Sequence, residues 1–295
     1  GGACPRFTPI ISSSSLAANP INSSLTGLDA ADRVTFAIVI ENTGSGLTGA
    51  FDVRFKDTLP SGFTIPGSGL NLCVTNGAGT ALSYTDLGGG LFGTGLELTD
   101  PANGALAPYD ENNGLNLLVV TYDLELTAAV EPLQTLTNTA TLFNYAGLEG
   151  GTDHTATDLT DDAVVTIAPP AITKQMTGTN QPFTTDPNVA IGEIVTYQVT
   201  VRIPEGTTSN VTLRDILDPG LAFMDCTSIT ASAALSTSIG AWSNARNPGT
   251  NPTVGPEPVG SPAPADQGRR VIFDFDTITN TNTDNTTAET ITLTY

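Results

Sequence analysis

The residues with the clearest capacity for chemistry are five carboxylates in one short stretch before Pro169-Pro170. They are Glu149, Asp153, Asp158, Asp161 and Asp162. Calcium prefers clustered carboxylate and carbonyl oxygens, although this spacing does not match an EF-hand loop. The stretch therefore predicts either a calcium site that stiffens a domain junction or a solvated acidic loop. Calcium is the one cofactor that the sequence suggests.

A catalytic constellation is not visible. The single histidine, His154, lies in the polar segment GTDHTATD, which is typical of a hydrated surface histidine. Since there is no Gly-x-Ser-x-Gly segment, the sequence offers no Ser-His-Asp arrangement. The glycine run Gly88-Gly89-Gly90 precedes no helical pattern and so predicts no phosphate-binding loop. We expect a protein without enzymatic activity.

The three cysteines, Cys4, Cys73 and Cys226, show no metal-site spacing. Cys73 and Cys226 follow similar Asp-x-Leu turns, which is typical of small buried strand residues. A disulfide between Cys4 and Cys73 is the alternative.

Alternating apolar residues define the elements that must position these side chains. One set occupies every second position of a predicted strand: Val195, Tyr197, Val199 and Val201. A matching set lies earlier in the chain: Val34, Phe36, Ile38 and Ile40. This period is typical of a half-buried β-strand, and two copies of one unit indicate a repeat protein.

The two copies resemble a known repeat. GEIVTYQVTVRIPEGTTSNVTLRDILDPGL and DRVTFAIVIENTG…VRFKDTLPSGF are similar to the conserved repeat of large bacterial surface proteins (the eleventh domain of unknown function). That family is close to the isopeptide-forming domains of fimbrial adhesins. The shared signature is G-[DE]-x-V-T-[YF], a turn, and D-x-L-x-x-G-[LF].

The resemblance gives Lys174 a specific role. In the isopeptide-forming relatives a first-strand lysine bonds to an asparagine near the last strand, assisted by a buried acid. Lys174 stands in that strand, and Asp215 is the candidate acid. In the first copy Ser13 replaces the lysine although Asn138 matches the partner, so no bond is expected there. The alternative is an ordinary edge-strand lysine that discourages aggregation.

Composition excludes several classes of protein. The formal net charge is −20, because only 10 Lys and Arg oppose 30 Asp and Glu. Such a surface repels nucleic acid and anionic lipid headgroups. The sequence contains no run of about 18 apolar residues, which is the pattern that predicts a membrane-spanning helix. Many turn residues and no helical period favour an all-β protein of tandem immunoglobulin-like β-sandwich repeats.

The domain organisation follows from the repeat. Ile172 aligns with Ile11 and Val195 with Val34, both at the same offset. We predict a linker from a preceding unit at 1–9, a first sandwich at 10–168, a proline hinge at 169–170 and a second sandwich at 171–295. The segment LLVVTYDLEL of the first copy corresponds to TITLTY at the end of the second.

The second copy therefore has no counterpart of the strands LTNTATLFNY and AVVTI, and we expect it to be incomplete at its C-terminal end. Either the chain is a slice of a longer array, which we favour, or a neighbour supplies strands by β-augmentation. The absence of a secretion signal fits a processed chain or an internal slice.

The sequence thus predicts an extracellular structural protein of the bacterial cell surface, forming a stalk, filament or surface-layer component. Its expected partners are other copies of itself or adjacent repeats. The alternative is an adhesin that binds a carbohydrate or protein through the loops at 86–95 and 241–268. An exposed aromatic platform would favour the adhesin, and Trp242 is the only tryptophan.

Overall fold

The computed structural model describes residues 24–99, 105–184, 188–240, 242 and 252–295. Within these ranges the regular structure consists of antiparallel β-strands and one turn of 3₁₀-helix at Pro264–Asp266. The fold class is all-β, with sheets that form sandwich-like units, as predicted. None of the described residues forms a helix long and apolar enough to cross a membrane.

The chain divides into two compact units. Unit 1 contains the described residues up to Leu28, with Asp32–Thr127 and Thr135–Thr166. Unit 2 contains Asp29–Ala31, Ala128–Gln134 and Ile167–Tyr295. The predicted linker at 1–9 lies outside the described residues, as do Cys4, Ile11 and Ser13.

The described part of unit 1 contains ten strands. They are β1 (Ser24–Leu28), β2 (Arg33–Glu41), β3 (Phe51–Thr58), β4 (Phe63–Thr64), β5 (Cys73–Asn76), β6 (Tyr84–Asp86), β7 (Leu96–Leu98), β8 (Leu117–Leu126), β9 (Thr135–Ala146) and β10 (Leu159–Ile167). One sheet has the order β1-β10-β9-β3-β7-β6. In the other, β8 lies between β2 and the short strands β4 and β5.

Strand β8 forms the centre of the unit 1 core. Its sequence LLVVTYDLEL is buried everywhere except Glu125. A strand that is covered on both faces needs a nearly continuous apolar run, which this sequence provides. Strand β8 is central in its sheet, because β2 pairs along one edge and β5 along the other.

Eight strands lie within the described residues of unit 2. They are β11 (Ala171–Thr179), β12 (Val195–Arg202), β13 (Gly206–Ile216), β14 (Ser228–Ala231), β15 (Leu235–Thr237), β16 (Thr253–Gly255), β17 (Arg270–Asn280) and β18 (Thr290–Thr294). One sheet has the order β11-β12-β18-β14. The other has the order β13-β17-β15, and β16 also pairs with β17. Both sheets contribute to one apolar core, in which Phe273, Phe275 and Leu293 are fully buried.

Part of the pairing order is common to both units. The order β2-β8-β5 in unit 1 is matched by β12-β18-β14 in unit 2, and β3-β7-β6 is matched by β13-β17-β15. The units differ at one edge, because β3 pairs with both β7 and β9 whereas β13 pairs only with β17 in the described part of unit 2. That two copies of a repeat superpose remains a prediction.

Two sequence expectations about elements need correction. Strand β10 begins at Leu159, so Asp161 and Asp162 belong to a strand and not to an acidic loop. The predicted loop at 241–268 contains β16 and the 3₁₀ turn within its described part.

Candidate functional site

A cluster of three polar side chains lies inside unit 1. Asp57 comes from β3, Tyr122 from β8 and Asn138 from β9, so the cluster joins the two sheets. The Tyr122 hydroxyl donates to Asp57 Oδ2 at 2.5 Å. Asn138 Nδ2 donates to the Tyr122 hydroxyl at 2.7 Å and to Asp57 Oδ2 at 3.3 Å. Every donor of these side chains is therefore committed within the cluster.

Burial sets the electrostatics of the cluster. Asp57 is 3% exposed, Asn138 is 4% exposed and Tyr122 is fully buried. Burial raises the pKa of Asp57 from 3.8 to about 6, because a carboxylate loses its hydration. The hydrogen bonds from Tyr122 and Asn138 oppose this shift only in part. Burial, and next to it the charge of Asp57, also raise the pKa of Tyr122, so its hydroxyl stays a donor.

Two acceptor atoms of the cluster have no hydrogen-bond partner among the described residues. They are Asp57 Oδ1 and Asn138 Oδ1, and both are buried. Native proteins pair nearly all buried polar atoms, so each exception calls for an explanation.

A cavity of about 380 Å³ opens beside the cluster within unit 1. Asp57, Tyr122 and Asn138 form part of its wall. The other described lining residues come from β1, β2, β9 and β10: Leu25, Val34, Thr35, Phe36, Ala37, Ile38, Val39, Ala140, Asp161, Asp162, Ala163, Val164 and Val165. Apolar side chains dominate this list, all its ionisable side chains apart from Tyr122 are acidic, and it holds no basic residue.

Sequence reasoning found only one member of this cluster. Asn138 was matched to the relatives' asparagine, whereas Asp57 and Tyr122 were not recognised as its partners. A signal was present, because Asp57 continues the inward alternation of Val53 and Phe55. A carboxylate at the apolar phase of a strand indicates a buried polar group.

A second cluster lies in unit 2 and contains both residues predicted from the resemblance. Lys174 Nζ lies 2.6 Å from Asp215 Oδ2, and the Tyr295 hydroxyl donates to the same oxygen. The ammonium group also lies 4.3 Å from the ring centroid of Tyr197 and 5.9 Å from that of Tyr295. Burial, and after it Asp215, raise the pKa of Tyr295.

Lys174 is adjacent to Asp215 as expected, but it is not buried. Its side chain is 33% exposed, against 13% for Asp215. The reason is its position on β11, an edge strand that is exposed along nearly its whole length. An isopeptide bond at Lys174 remains a prediction.

The two clusters share an aspartate and a tyrosine. Asp57 and Asp215 lie on β3 and β13, and Tyr122 and Tyr295 lie on or directly after β8 and β18. Unit 1 completes the set with Asn138 from β9, whereas unit 2 completes it with Lys174 from β11. In unit 2 no described strand occupies the position that β9 takes beside β3.

The five carboxylates predicted as a calcium site do not converge. Asp153 Oδ1 accepts hydrogen bonds from Thr155, and Asp162 Oδ1 accepts one from Thr139 at 2.6 Å. Asp158 and Glu149 are exposed, as is Asp161 on β10. Among the described residues no three His, Cys, Asp or Glu side chains are close enough to share a metal ion. Calcium binding remains a prediction.

The cysteines are in different states. Cys226 is free and 6% exposed, and burial raises the pKa of its thiol to about 11. Cys73 is disulfide-bonded. Since Cys4 lies outside the described residues, the pairing of Cys4 with Cys73 remains a prediction.

The features that would favour an adhesin are not prominent. The Trp242 ring packs 5.7 Å from that of Phe275, and its Nε1 donates to the Leu235 carbonyl at 3.2 Å. Trp242 is thus partly buried and packs against the unit 2 core. In the loop after β6, Asp86 Oδ1 accepts hydrogen bonds from the backbone of Gly88 and Gly90, which fixes that loop.

Comparison with solved structures finds pilus proteins at low similarity. The RrgB pilus backbone of Streptococcus pneumoniae is 14% identical with a TM-score of 0.30, covering 92% of this chain and 76% of that one. The T6 backbone pilin of serotype M6 Streptococcus pyogenes is 11% identical with a TM-score of 0.31, covering 90% and 59%. A putative membrane anchored protein from Corynebacterium diphtheriae is 10% identical with a TM-score of 0.23, covering 91% and 80%.

No family model and no curated protein matches this chain. Membership of the surface-protein repeat family therefore remains a prediction. Since TM-scores of this size carry no functional argument, the proposals that follow rest on the geometry of the two units.

Proposed function

We propose that this protein is a structural component of an extracellular bacterial filament or stalk, in which a further strand, supplied by the same chain or by a neighbour, pairs with the edge of β13. The observation that carries the proposal is the unpaired edge of β13 in the described part of unit 2. Proteins usually protect such edges, because a row of unpaired N–H and C=O groups recruits another strand.

Unit 1 indicates what such a strand resembles. There the matching edge of β3 pairs with β9, and Asp57 lies opposite Ala140. Asn138, two residues earlier on β9, reaches Asp57 and Tyr122. A strand placed likewise on β13 would bring an asparagine to Asp215 and Tyr295. It would also cover Ile216, which is 48% exposed.

Lys174 gives this docking a covalent extension. Its Nζ would attack the side-chain carbonyl carbon of the incoming asparagine, forming an amide bond and releasing ammonia. The attacking amine must be neutral, and covering the site by the docked strand would favour loss of its proton to Asp215 by desolvation. A bond of this kind would lock the added strand to unit 2 against pulling forces.

A peptide with the β9 sequence TLTNTATLFNYA tests the proposal. Incubation of the protein with this peptide should give a complex whose intact mass equals protein plus peptide minus one ammonia. The peptide in which the asparagine that corresponds to Asn138 is replaced by alanine should bind without forming the adduct.

The lysine inventory provides a matched control, since the chain holds only two lysines, Lys56 and Lys174. Lys174→Arg should abolish the adduct and Lys56→Arg should preserve it. Binding without any adduct would support docking and overturn the covalent step. Absence of binding, measured by fluorescence anisotropy of a labelled peptide, would overturn the whole proposal.

A further inference from the structure

The Asp57–Tyr122–Asn138 cluster has two hydrogen-bond acceptors without a partner among the described residues, whereas the donors of Tyr122 and Asn138 are all used. The Tyr122 hydroxyl hydrogen and the Asn138 amide hydrogens are used inside the cluster, while Asp57 Oδ1 and Asn138 Oδ1 have no partner in the described part of unit 1. A buried acceptor without a donor is unfavourable by about 1–3 kcal/mol. A ligand of this cavity must therefore bring hydrogen-bond donors.

The acidic side chains of the cavity wall determine which sign of charge a ligand can carry. Asp57, Asp161 and Asp162 line the cavity, and no Lys or Arg belongs to its described lining. An anion would be repelled, whereas a cation gains from the low dielectric of the interior. A bare metal ion is a poor match, because the walls supply few oxygens and no three ligating side chains meet in the described structure.

The rest of the described cavity lining is mostly apolar, and it therefore favours an alkyl group in the ligand. Val34, Phe36 and Ile38 from β2 line the cavity together with Val165 from β10 and Leu25 from β1. Apolar walls of this kind stabilise methylene groups by removing them from water. A volume of about 380 Å³ accommodates a short chain with a polar head.

We propose that the unit 1 cavity binds an aliphatic primary ammonium group, with its N–H donors on Asp57 Oδ1 and Asn138 Oδ1 and its chain between β2 and β10. This site is separate from the Lys174 cluster of unit 2. The ligand is either a free alkylamine or a lysine side chain of another polypeptide.

NMR titration of the ¹⁵N-labelled protein at neutral pH tests the assignment. n-Butylammonium should shift the Asn138 side-chain amide and the Asp57 backbone amide in a saturable way. Butyltrimethylammonium keeps the charge without N–H donors, and 1-butanol keeps a donor without charge, so both should bind at least about 10-fold more weakly. Equal binding of all three compounds, or no saturable shift with n-butylammonium, would overturn the proposal.

The source of the amine is resolved by a second ligand. Nα-acetyl-lysine methylamide presents the same head group on a peptide backbone. Tighter binding than n-butylammonium assigns the site to a lysine of a polypeptide, and weaker binding assigns it to a free amine.

Variants separate the carboxylate from general charge effects. Asp57→Asn should weaken n-butylammonium binding by about 10-fold or more, since a charge-assisted hydrogen bond is lost. Asp158→Asn, an exposed residue outside the cavity lining, should leave the affinity unchanged. Equal affinities of the two variants would contradict the proposal, and the ligand series on the unaltered protein decides the matter where Asp57→Asn fails to fold.

Discussion

At the scale of single residues, unit 1 keeps the carboxyl group of Asp57 in its interior, where a tyrosine and an asparagine are its side-chain partners among the described residues. Asp57 has no lysine or arginine beside it in the described structure, so nothing compensates a full negative charge there. Burial therefore raises the pKa of Asp57, and this residue links stability to pH.

The direction of this linkage is a testable prediction. Because the pKa of Asp57 is about 6 in the folded protein against 3.8 ordinarily, its contribution is complete below pH 3.8 and is lost as the pH rises through 6. Compared with Asp57→Asn, which does not titrate, the wild-type free energy of unfolding should fall by roughly 2–3 kcal/mol more between about pH 4 and about pH 7. Urea unfolding followed by circular dichroism at several pH values measures this difference.

Asp158→Asn is the control for this series, because Asp158 is exposed and should give a profile parallel to the wild type. A constant difference between wild type and Asp57→Asn across the pH range would refute the linkage.

Tyr122→Phe removes a single hydroxyl group, yet it should lower the free energy of unfolding considerably. It removes the hydroxyl that donates to Asp57 and accepts from Asn138, leaving buried polar atoms unpaired. We expect a loss of roughly 1–3 kcal/mol in the free energy of unfolding. Tyr109→Phe alters a tyrosine that is 46% exposed and should change it by less than about 0.5 kcal/mol. Similar losses in both variants would show that the cluster contributes nothing specific.

Sequence reasoning could predict the site only in part. Lys174 and Asp215 were placed together by resemblance, and the structure puts them in contact. Asp57 and Tyr122 are 65 positions apart, and their hydrogen bond depends on how two sheets face each other. Alternation along one strand carries no information on that pairing.

At the scale of elements, β8 concentrates the apolar content of unit 1. Leu118→Ala removes a fully buried side chain and should lower the free energy of unfolding by about 2–5 kcal/mol, since a cavity remains. Leu115→Ala, two residues before the strand and 42% exposed, is the matched control and should have little effect. Denaturant titration of both variants makes the comparison, and equal losses would contradict the central role of β8.

The strands that sequence analysis predicted are those with a clear apolar alternation or run. Strand β10 was recognised only from Ala163, because Leu159–Asp162 are exposed and join the sheet through backbone pairing with β9. Strands β6 and β16 have three residues each, too few for a period to appear. Backbone hydrogen bonds to distant strands fix these elements, and side-chain patterns do not report them.

At the scale of the whole molecule, acidic charge dominates. The formal net charge is −20, whereas the described residues form four ion pairs. Repulsion among the acidic side chains at neutral pH should therefore exceed the attraction within the ion pairs, so that screening by salt removes more repulsion than attraction. Added sodium chloride at pH 7 is expected to raise the midpoint of thermal unfolding, as measured by circular dichroism, and a falling midpoint would refute this balance.

The packing of Trp242 against Phe275 gives unit 2 an optical signal of its own. The chain contains one tryptophan. Its ring packs against Phe275 and its indole N–H donates to the Leu235 carbonyl, and both of these residues belong to the apolar core of unit 2. Emission excited selectively at tryptophan therefore reports on the opening of that core alone, and far-ultraviolet dichroism reports on the strands of both units. Recording the two together during one denaturation distinguishes loss of unit 2 from loss of the whole fold, without any label or substitution.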